Sequence, residues 1–285
     1  MAGVFQLDET ADAPVDSRAV SRVAIAGLGA IGTSVAKAID AGIDGVVLSA
    51  VAAQSIDKHR DWLSRLKSAP ATLPIEQLAD VADIIIECAP SRLVRSIVAP
   101  VVSRGKTAIV LSAGALLEND DLIALAREHG GQIVVPTGAL IGLDAVTAAA
   151  VGTIHSARMV SRKPPRGFDG APHVVDNNID LEAITAPQKI FEGNARAAAK
   201  GFPANINVSV ALSLAGIGPD RTMVEIWADP TVTRNVHRIE VDSDSARFSM
   251  TIENIPSENP KTGRITALSV IACLRKLHAP LRVGT

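Results

Sequence analysis

A short apolar strand pattern that runs directly into three spaced glycines constrains the fold of this chain more than any other feature. Residues 22–26 are mostly apolar, and residues 27–32 read Gly-Leu-Gly-Ala-Ile-Gly before a helical pattern over 33–39. Such a turn between a strand and a helix is typical of a βαβ unit that binds a dinucleotide. The three glycines permit a tight turn, the approach of a pyrophosphate and close helix packing, respectively. We therefore predict phosphate contacts from the loop and the helix N-terminus, at Gly27, Gly29, Ala30, Ile31 and Gly32.

Strand and helix patterns alternate from this unit as far as Pro136. The alternation predicts a parallel sheet with helices on both faces. Beyond it, segments of alternating polarity predict three antiparallel strands, over 223–228, 236–241 and 247–253. The predicted fold class is therefore α/β, with a Rossmann-type doubly wound parallel sheet plus a second α+β domain with an antiparallel sheet.

The change of pattern also predicts the domain organisation. We expect an N-terminal arm over 1–20, a dinucleotide-binding domain over 21–140 and an α+β domain for substrate binding and oligomerisation over 141–261. The amphipathic segment within 262–285 is expected to return to the first domain and complete it. The second-domain sheet would suit a dimer interface, so we expect a homodimer or a higher homo-oligomer.

Charge and cysteine content argue against several classes of protein. The formal net charge is -2 over 285 residues, which argues against nucleic acid as a partner. No apolar run reaches the length of a membrane span, and we expect no membrane association. Cys88 and Cys273 lie far apart in apolar surroundings, so we expect no disulfide and a cytoplasmic location. No metal-ligand spacing is present, and we predict no metal site.

Small residues follow the third, fourth and fifth predicted strands, where a ligand crevice is expected. Ala89, Ala113 and Ala139 lie in these loops and are candidates for backbone contact with ribose and nicotinamide. Each loop alone could be an ordinary turn, but three in succession favour a binding face.

The stretch after the second predicted strand leaves the type of nucleotide open. NAD-selective sites usually carry an acidic residue there, which binds the ribose hydroxyls. Residues 49–55 contain no acid, and the nearest one is Asp57. The basic residues Lys58, His59 and Arg60 follow, and they could meet a 2′-phosphate or form a solvated helix start. The expected cofactor is therefore NAD or NADP.

Two polar side chains in the second half are candidates for chemistry. Strand alternation places His237 on one face with Asn235 and Ile239. A neutral imidazole there could exchange protons with a substrate, although the residues alone slightly favour a hydrogen-bonded structural histidine. Asn207 could cap the predicted helix that follows, or it could hold a nicotinamide amide or a substrate carboxylate.

Several short runs of residues between positions 21 and 280 match the sequence motifs of one protein family, and they occur in the same order. They include the glycine loop and the strand ends at 87–89, 112–116 and 137–144. Others are Phe-Pro-Ala-Asn-Ile-Asn-Val at 202–208, Asn-Val-His at 235–237 and the runs at 162–165, 191–195, 214–218, 228–230 and 259–262. Together these runs resemble the L-aspartate dehydrogenase family, and they are far more specific than the glycine loop.

The resemblance implies oxidative deamination of L-aspartate with NAD or NADP, through iminosuccinate to oxaloacetate and ammonia, and the reverse reductive amination. It also implies a link to NAD biosynthesis. It gives His237 the acid–base role, and Ala139 and Asn207 contacts with the cofactor. Lys163 and Lys261, from matched runs, are candidates for binding the dianionic substrate.

Two other functions remain open from the sequence. One is a dehydrogenase or reductase of another small amino or keto acid, and the other is a non-catalytic NAD(P)-binding redox sensor. The presence of His237 in its matched run argues against the sensor. The chain also departs from many relatives, which carry an acid where this chain has residues 52–54, so the resemblance does not decide between NAD and NADP.

Overall fold

The computed structural model describes residues 20–204, 206–255 and 263–285. The arm predicted over 1–20 lies, except for Val20, outside the described residues, and so does Lys261. In the described part of the chain, every helix is too short or too polar to cross a bilayer.

The first sheet has six parallel strands in the order β3-β2-β1-β4-β5-β6, which is the strand order of a Rossmann dinucleotide-binding sheet. Its strands are β1 (Ser21–Ala26), β2 (Val46–Ala52), β3 (Ala71–Thr72), β4 (Ile84–Glu87), β5 (Thr107–Val110) and β6 (Gln132–Val134). The predicted fold class is thereby confirmed. The sequence did not predict β3, because a two-residue strand is too short to show a pattern.

Helices cover both faces of this sheet, so its central strands are buried on both sides and are apolar almost throughout. They are α1 (Ala30–Ala41), α2 (Arg60–Leu63), α3 (Leu78–Val81), α4 (Val94–Val102) and α5 (Asp121–His129). One face packs against α1, through Val35 and Ile39. The other face packs against α3, α4 and α5, through side chains such as Leu78, Ile97 and Leu122.

The second sheet has five strands in the order β11-β10-β7-β9-β8. They are β7 (Ile154–Lys163), β8 (Gln188–Asn194), β9 (Thr222–Ala228), β10 (Asn235–Ser243) and β11 (Arg247–Asn254). The sheet is mixed, because β7 and β9 are parallel while the other neighbours are antiparallel. The sequence did not predict β8.

One face of the second sheet is covered by helices and the other is open to solvent. The helices are α6 (Leu143–Ala149), α7 (Pro172–Asp176), α8 (Ala195–Gly201) and α9 (Asn207–Ala215). Val146, Val210 and Leu212 of these helices share a core with Met159 of β7 and Ile239 of β10. The alternation of buried and exposed residues along β7 and β10 follows from this one-sided cover.

The last helix, α10 (Ile265–His278), lies against the first sheet rather than the second. Its side chains Val270 and Leu274 are fully buried in the core cluster that also holds Val35 and Ile39 of α1. The helix layer on that face of the nucleotide sheet is therefore built from the two ends of the chain.

Candidate active site

Two glycines of the loop between β1 and α1 are packed against backbone atoms, and the third faces open space. Gly27 has a φ of +105°, and a Cβ on it would lie 2.4 Å from the carbonyl oxygen of Cys88. A Cβ on Gly32 would lie 2.0 Å from the carbonyl oxygen of Gly27. A Cβ on Gly29, in contrast, would meet no atom within 4 Å. The loop therefore leaves open space at the N-terminus of α1, which fits a dinucleotide pyrophosphate.

A groove extends from this open glycine along α1. It is lined by Gly29, Ala30 and Ile31 together with the basic residues Lys37 and Arg264. Ile31 also lines the cavity described next, so groove and cavity adjoin. The positive side chains suit the phosphate half of the predicted cofactor.

This cavity has a volume of about 250 Å³ and lies between the two sheets, at the carboxyl ends of β4, β5 and β6. It brings together most of the predicted site residues, namely Ile31, Ala89, Ala113, Ala139, Lys163, Asn207 and His237. Of the other loop residues, Gly29 and Ala30 line the adjoining groove, and Gly27 and Gly32 line neither space. This division matches a dinucleotide that lies across the sheet edge with its reactive end in the cavity.

The loop after β6 is held from two sides by other elements. The backbone N–H of Gly138 donates to the hydroxyl of Ser269 on α10, at 3.1 Å. The side-chain amide of Asn254, at the end of β11, donates to the carbonyl of Ala139, at 2.9 Å. The position of this predicted cofactor loop therefore depends on the second sheet and on the last helix.

Asn207 forms a hydrogen bond between the two halves of the molecule. It is the first residue of α9, and its Oδ1 accepts a hydrogen bond from the backbone N–H of Gly114 at 3.0 Å. Because the oxygen is engaged, the carboxamide can offer its Nδ2 donor to a ligand in the cavity. The helix-cap interpretation is not what the structure shows, since Ile206 occupies the N-cap position.

His237 and Lys163 lie buried on the same face of the second sheet. They are only 2% and 4% exposed, respectively. Nδ1 of His237 is 3.1 Å from the hydroxyl of Ser161, which stands opposite it on β7. Burial, together with the charge of Lys163, lowers the pKa of His237 to about 3, and burial lowers the pKa of Lys163 to about 8. The imidazole is therefore neutral near pH 7.

The opposite wall of the cavity contains a buried carboxylate, Glu87, at the end of β4. Its Oε1 accepts from the N–H of Ala89 at 3.1 Å and the hydroxyl of Ser112 at 3.0 Å. Its Oε2 accepts from the N–H groups of Leu111 and Ser112, at 3.1 and 2.9 Å. Burial raises the pKa of Glu87, and these hydrogen bonds oppose the rise. The carboxylate thus ties together the ends of β4 and β5.

The end of β2 lies beside the glycine loop, where the ribose next to the adenine is expected. The N–H of Gly27 donates to the carbonyl of Ala52, the last residue of β2, at 2.8 Å. Asp57, the nearest acid, is paired with Arg60 at 2.5 Å, and both side chains are strongly exposed. Among the described residues, the acid nearest to the end of β2 is therefore already paired, and it does not decide between NAD and NADP.

Two site residues escaped the sequence reasoning. Ser161 had no assigned role, although a serine two positions before Lys163 on a strand shares its face. Glu87 begins the matched run at 87–89, and nothing in the sequence showed that four donors surround it. Among the described residues, no group of three or more metal-ligating side chains could hold a metal ion.

Comparison with known proteins bears on both halves of this site. Residues 27–136 match the family described as homoserine dehydrogenase, NAD binding domain, and residues 144–277 match the one described as aspartate dehydrogenase, C-terminal. The structure of aspartate dehydrogenase from Thermotoga maritima is similar in fold, with a TM-score of 0.71 at 22% identity, over 93% of this chain and 99% of that one.

Two relatives are similar to this chain over almost their whole length. The L-aspartate dehydrogenase of Bradyrhizobium diazoefficiens is 67% identical over 264 residues, which cover 93% of this chain and 94% of that protein. L-aspartate dehydrogenase 3 of Bordetella bronchiseptica is 56% identical over 272 residues, which cover 95% of this chain and all of that protein. This similarity confirms the resemblance found in the sequence, and the chain belongs to the L-aspartate dehydrogenase family.

Proposed function

We propose that the protein is an NAD(P)-dependent L-aspartate dehydrogenase. The reaction converts L-aspartate, NAD(P)⁺ and water into oxaloacetate, ammonium, NAD(P)H and a proton, and it runs in reverse as a reductive amination. The observation that carries the proposal is the burial of a neutral imidazole and a lysine in one cavity with the carboxyl ends of β4, β5 and β6. The relatives that are 67% and 56% identical support the choice of substrate.

The cofactor in this proposal is NAD or NADP, whose nicotinamide accepts the hydride from the substrate Cα. The open side of Gly29 and the N-terminus of α1 would hold its pyrophosphate. The loops with Ala89, Ala113 and Ala139 would contact its ribose and nicotinamide. Nδ2 of Asn207 would bind the nicotinamide amide, since the Oδ1 of Asn207 already accepts from Gly114.

The second sheet supplies the groups that act on the substrate. Lys163 would bind one carboxylate of L-aspartate, and Lys261 is a second candidate for this role. His237 would take a proton from the amine or activate the water that attacks the imine. Burial and, to a smaller extent, the charge of Lys163 depress the pKa of His237. The dianion would offset the charge of Lys163, so substrate binding would relieve the smaller of these two effects and strengthen the base.

One assay tests reaction, substrate and cofactor together. With oxaloacetate and ammonium, we expect the protein to oxidise NADH, NADPH or both, and to oxidise neither when ammonium is omitted. A panel of other 2-oxo acids separates this proposal from a dehydrogenase of another small acid, which would prefer a different member. A redox sensor would bind NAD(P)H in a fluorescence titration and turn over none of the substrates.

Replacement of His237 by Ala tests the catalytic assignment. We expect kcat to fall at least about a hundredfold, because general acid–base catalysis typically contributes that much, while the Kd for NADH changes little. His129→Ala, at the exposed end of α5, is the matched control and should leave kcat unchanged. Near-normal turnover of His237→Ala would contradict the assignment.

The ratio of kcat/KM for NADPH and NADH decides the cofactor preference. We propose that both nucleotides are accepted, because no acid directly follows β2 to repel a 2′-phosphate. A Gln54→Asp variant should lower kcat/KM for NADPH more than for NADH. An equal effect on both nucleotides would show that this position does not face the ribose.

We also propose a cytoplasmic homo-oligomer, most simply a dimer. The two cysteines are free thiols, which suits a reducing compartment. The solvent-facing side of the second sheet, which carries Met223 at 42% exposure, would form the interface. Light scattering should give the mass of an oligomer, and Met223→Asp should reduce it. A monomer mass for the unmodified protein would contradict the proposal.

A further inference from the structure

Glu87 combines complete burial with a position in the wall of the cavity. Its exposure is 0%, yet it borders the same space as Ala89 and Ala113, the residues proposed to contact the nicotinamide end of the cofactor. Burial of a carboxylate costs free energy, and its place in the cavity wall does not offset that cost. The proposed binding of the substrate and the proposed proton transfer do not use Glu87.

The partners of Glu87 favour a charged carboxylate. Three of the four hydrogen bonds come from backbone N–H groups, which can only donate. The fourth comes from the hydroxyl of Ser112. Donors arranged in this way around both oxygens stabilise the ionised form against the effect of burial.

The cavity is electrically polarised between its two walls. Among the described residues that line it, Glu87 is the acidic side chain and Lys163 the basic one. Glu87 belongs to the nucleotide sheet, and Lys163 belongs to the second sheet. The negative wall therefore faces the cofactor side, and the positive wall faces the side proposed to bind the substrate carboxylates.

The oxidised nicotinamide ring carries a positive charge, and the reduced ring is neutral. We propose that the Glu87 carboxylate acts on this difference and selectively stabilises the bound oxidised cofactor, while it also positions the loops after β4 and β5. The inference rests on the proposed function only in that a nicotinamide nucleotide binds in the cavity. Glu87 is thus a positioning and specificity residue, and it takes no part in proton transfer.

The ratio of two dissociation constants measures this effect directly. Kd for NAD⁺ and for NADH can be determined by calorimetry and by fluorescence titration, without substrate and without turnover. In Glu87→Gln, we expect Kd for NAD⁺ to rise about tenfold relative to Kd for NADH, because a nearby buried charge is lost. Any loosening of the loops weakens both nucleotides alike and leaves the ratio unchanged.

Two further variants separate charge from structure. Glu87→Asp disturbs the hydrogen bonds but keeps the charge, so its ratio should stay near that of the unmodified protein. Asp83→Asn removes an acid that directly precedes β4. It lies at the end of the strand opposite to Glu87, where it pairs with Arg22. Its ratio should also stay unchanged. An unchanged ratio in Glu87→Gln, or an equal shift in either other variant, would overturn the proposal.

A second measurement serves if Glu87→Gln does not fold. In unmodified protein labelled with ¹³C at the glutamate carboxyl carbons, the resonance absent from Glu87→Asp reports the charge of this group. With NAD⁺ bound at neutral pH, we expect the ionised form, and a protonated form would overturn the proposal. A protein that binds both nucleotides but does not act on oxaloacetate and ammonium would refute the proposed function and leave this test intact.

Discussion

At the scale of single residues, the site combines groups whose ordinary preference is for water. Lys163 illustrates the consequence, because burial lowers its pKa from 10.5 to about 8. Above pH 8 the folded protein releases this proton while the unfolded chain keeps it up to about pH 10.5. Lys163 therefore destabilises the fold fully below pH 8, and this penalty disappears as the pH rises towards 10.5.

Replacement of Lys163 by Met should therefore remove this pH dependence while it damages activity. In the unmodified protein we expect the free energy of unfolding to rise by a few kcal/mol between pH 8 and 10.5, since each unit of pKa shift corresponds to about 1.4 kcal/mol. In the variant this rise should be absent, and kcat/KM for oxaloacetate should fall. Denaturant titrations at several pH values measure the first effect.

Lys189→Met is the matched control on the same sheet. The pKa of Lys189 is raised by its hydrogen bond to Glu192, so removal of this lysine should leave the rise in stability between pH 8 and 10.5 in place. The same rise in Lys163→Met as in the unmodified protein would contradict the lowered pKa of Lys163.

At the scale of elements, the turn between β1 and α1 contains one glycine that we expect to matter for binding and another that we expect to matter for folding. Gly29 has an extended backbone with a φ of -71°, and a Cβ there meets nothing. Gly29→Ala should keep or slightly raise stability, by about 0.5 kcal/mol, because it reduces the entropy of the unfolded chain. It should weaken NAD(P)H binding at least about tenfold, since the methyl group occupies the space proposed for the pyrophosphate.

Gly32→Ala is the structural counterpart in the same turn. Its Cβ would lie 2.0 Å from a backbone oxygen that cannot move without displacing Gly27. We expect a loss of at least about 2 kcal/mol of stability. Thermal unfolding and nucleotide titration of both variants distinguish the two roles, and equal destabilisation by both would contradict this division.

Some of the strands and helices could be predicted from the sequence, and others could not. The parallel strands other than β3 were predictable because burial on both faces gives them mostly apolar runs. β8 was not, because its pattern lies between an irregular segment and an alanine-rich helix, and its pairing with β9 is a distant contact. Within the site, the matched run at 235–237 was enough to predict His237 as a site residue. Its contact with Ser161 could not be predicted, because it depends on the register of β10 against β7.

At the scale of the whole molecule, α10 connects the end of the chain to its beginning. Ala267, Val270, Ile271 and Leu274 are buried against the first sheet. Each large apolar side chain buried in this way contributes about 1.5–3 kcal/mol, and the net stability of a protein is only about 5–15 kcal/mol. A chain that ends at residue 262 should therefore fail to unfold cooperatively and should not bind NAD(P)H.

A chain that ends at residue 278 is the control for this truncation. It keeps α10 and loses only the tail, whose contacts include a hydrogen bond from Lys276 to the carbonyl of Gly284. We expect its melting temperature to stay within a few degrees of the full chain. Cooperative unfolding of the shorter chain would show that the first sheet does not need its last helix.

The shared layer of α1 and α10 also sets an order of events during biosynthesis. Ribosomes release a chain from its N-terminus, and domains usually fold as they emerge. Here the glycine loop, which ends at Gly32, is made long before α10, the helix that covers part of its sheet and holds the loop of Gly138 through Ser269. A nascent chain therefore leaves part of one apolar sheet face uncovered until residues 265–278 have been made, and we expect it to bind the nucleotide only after that point.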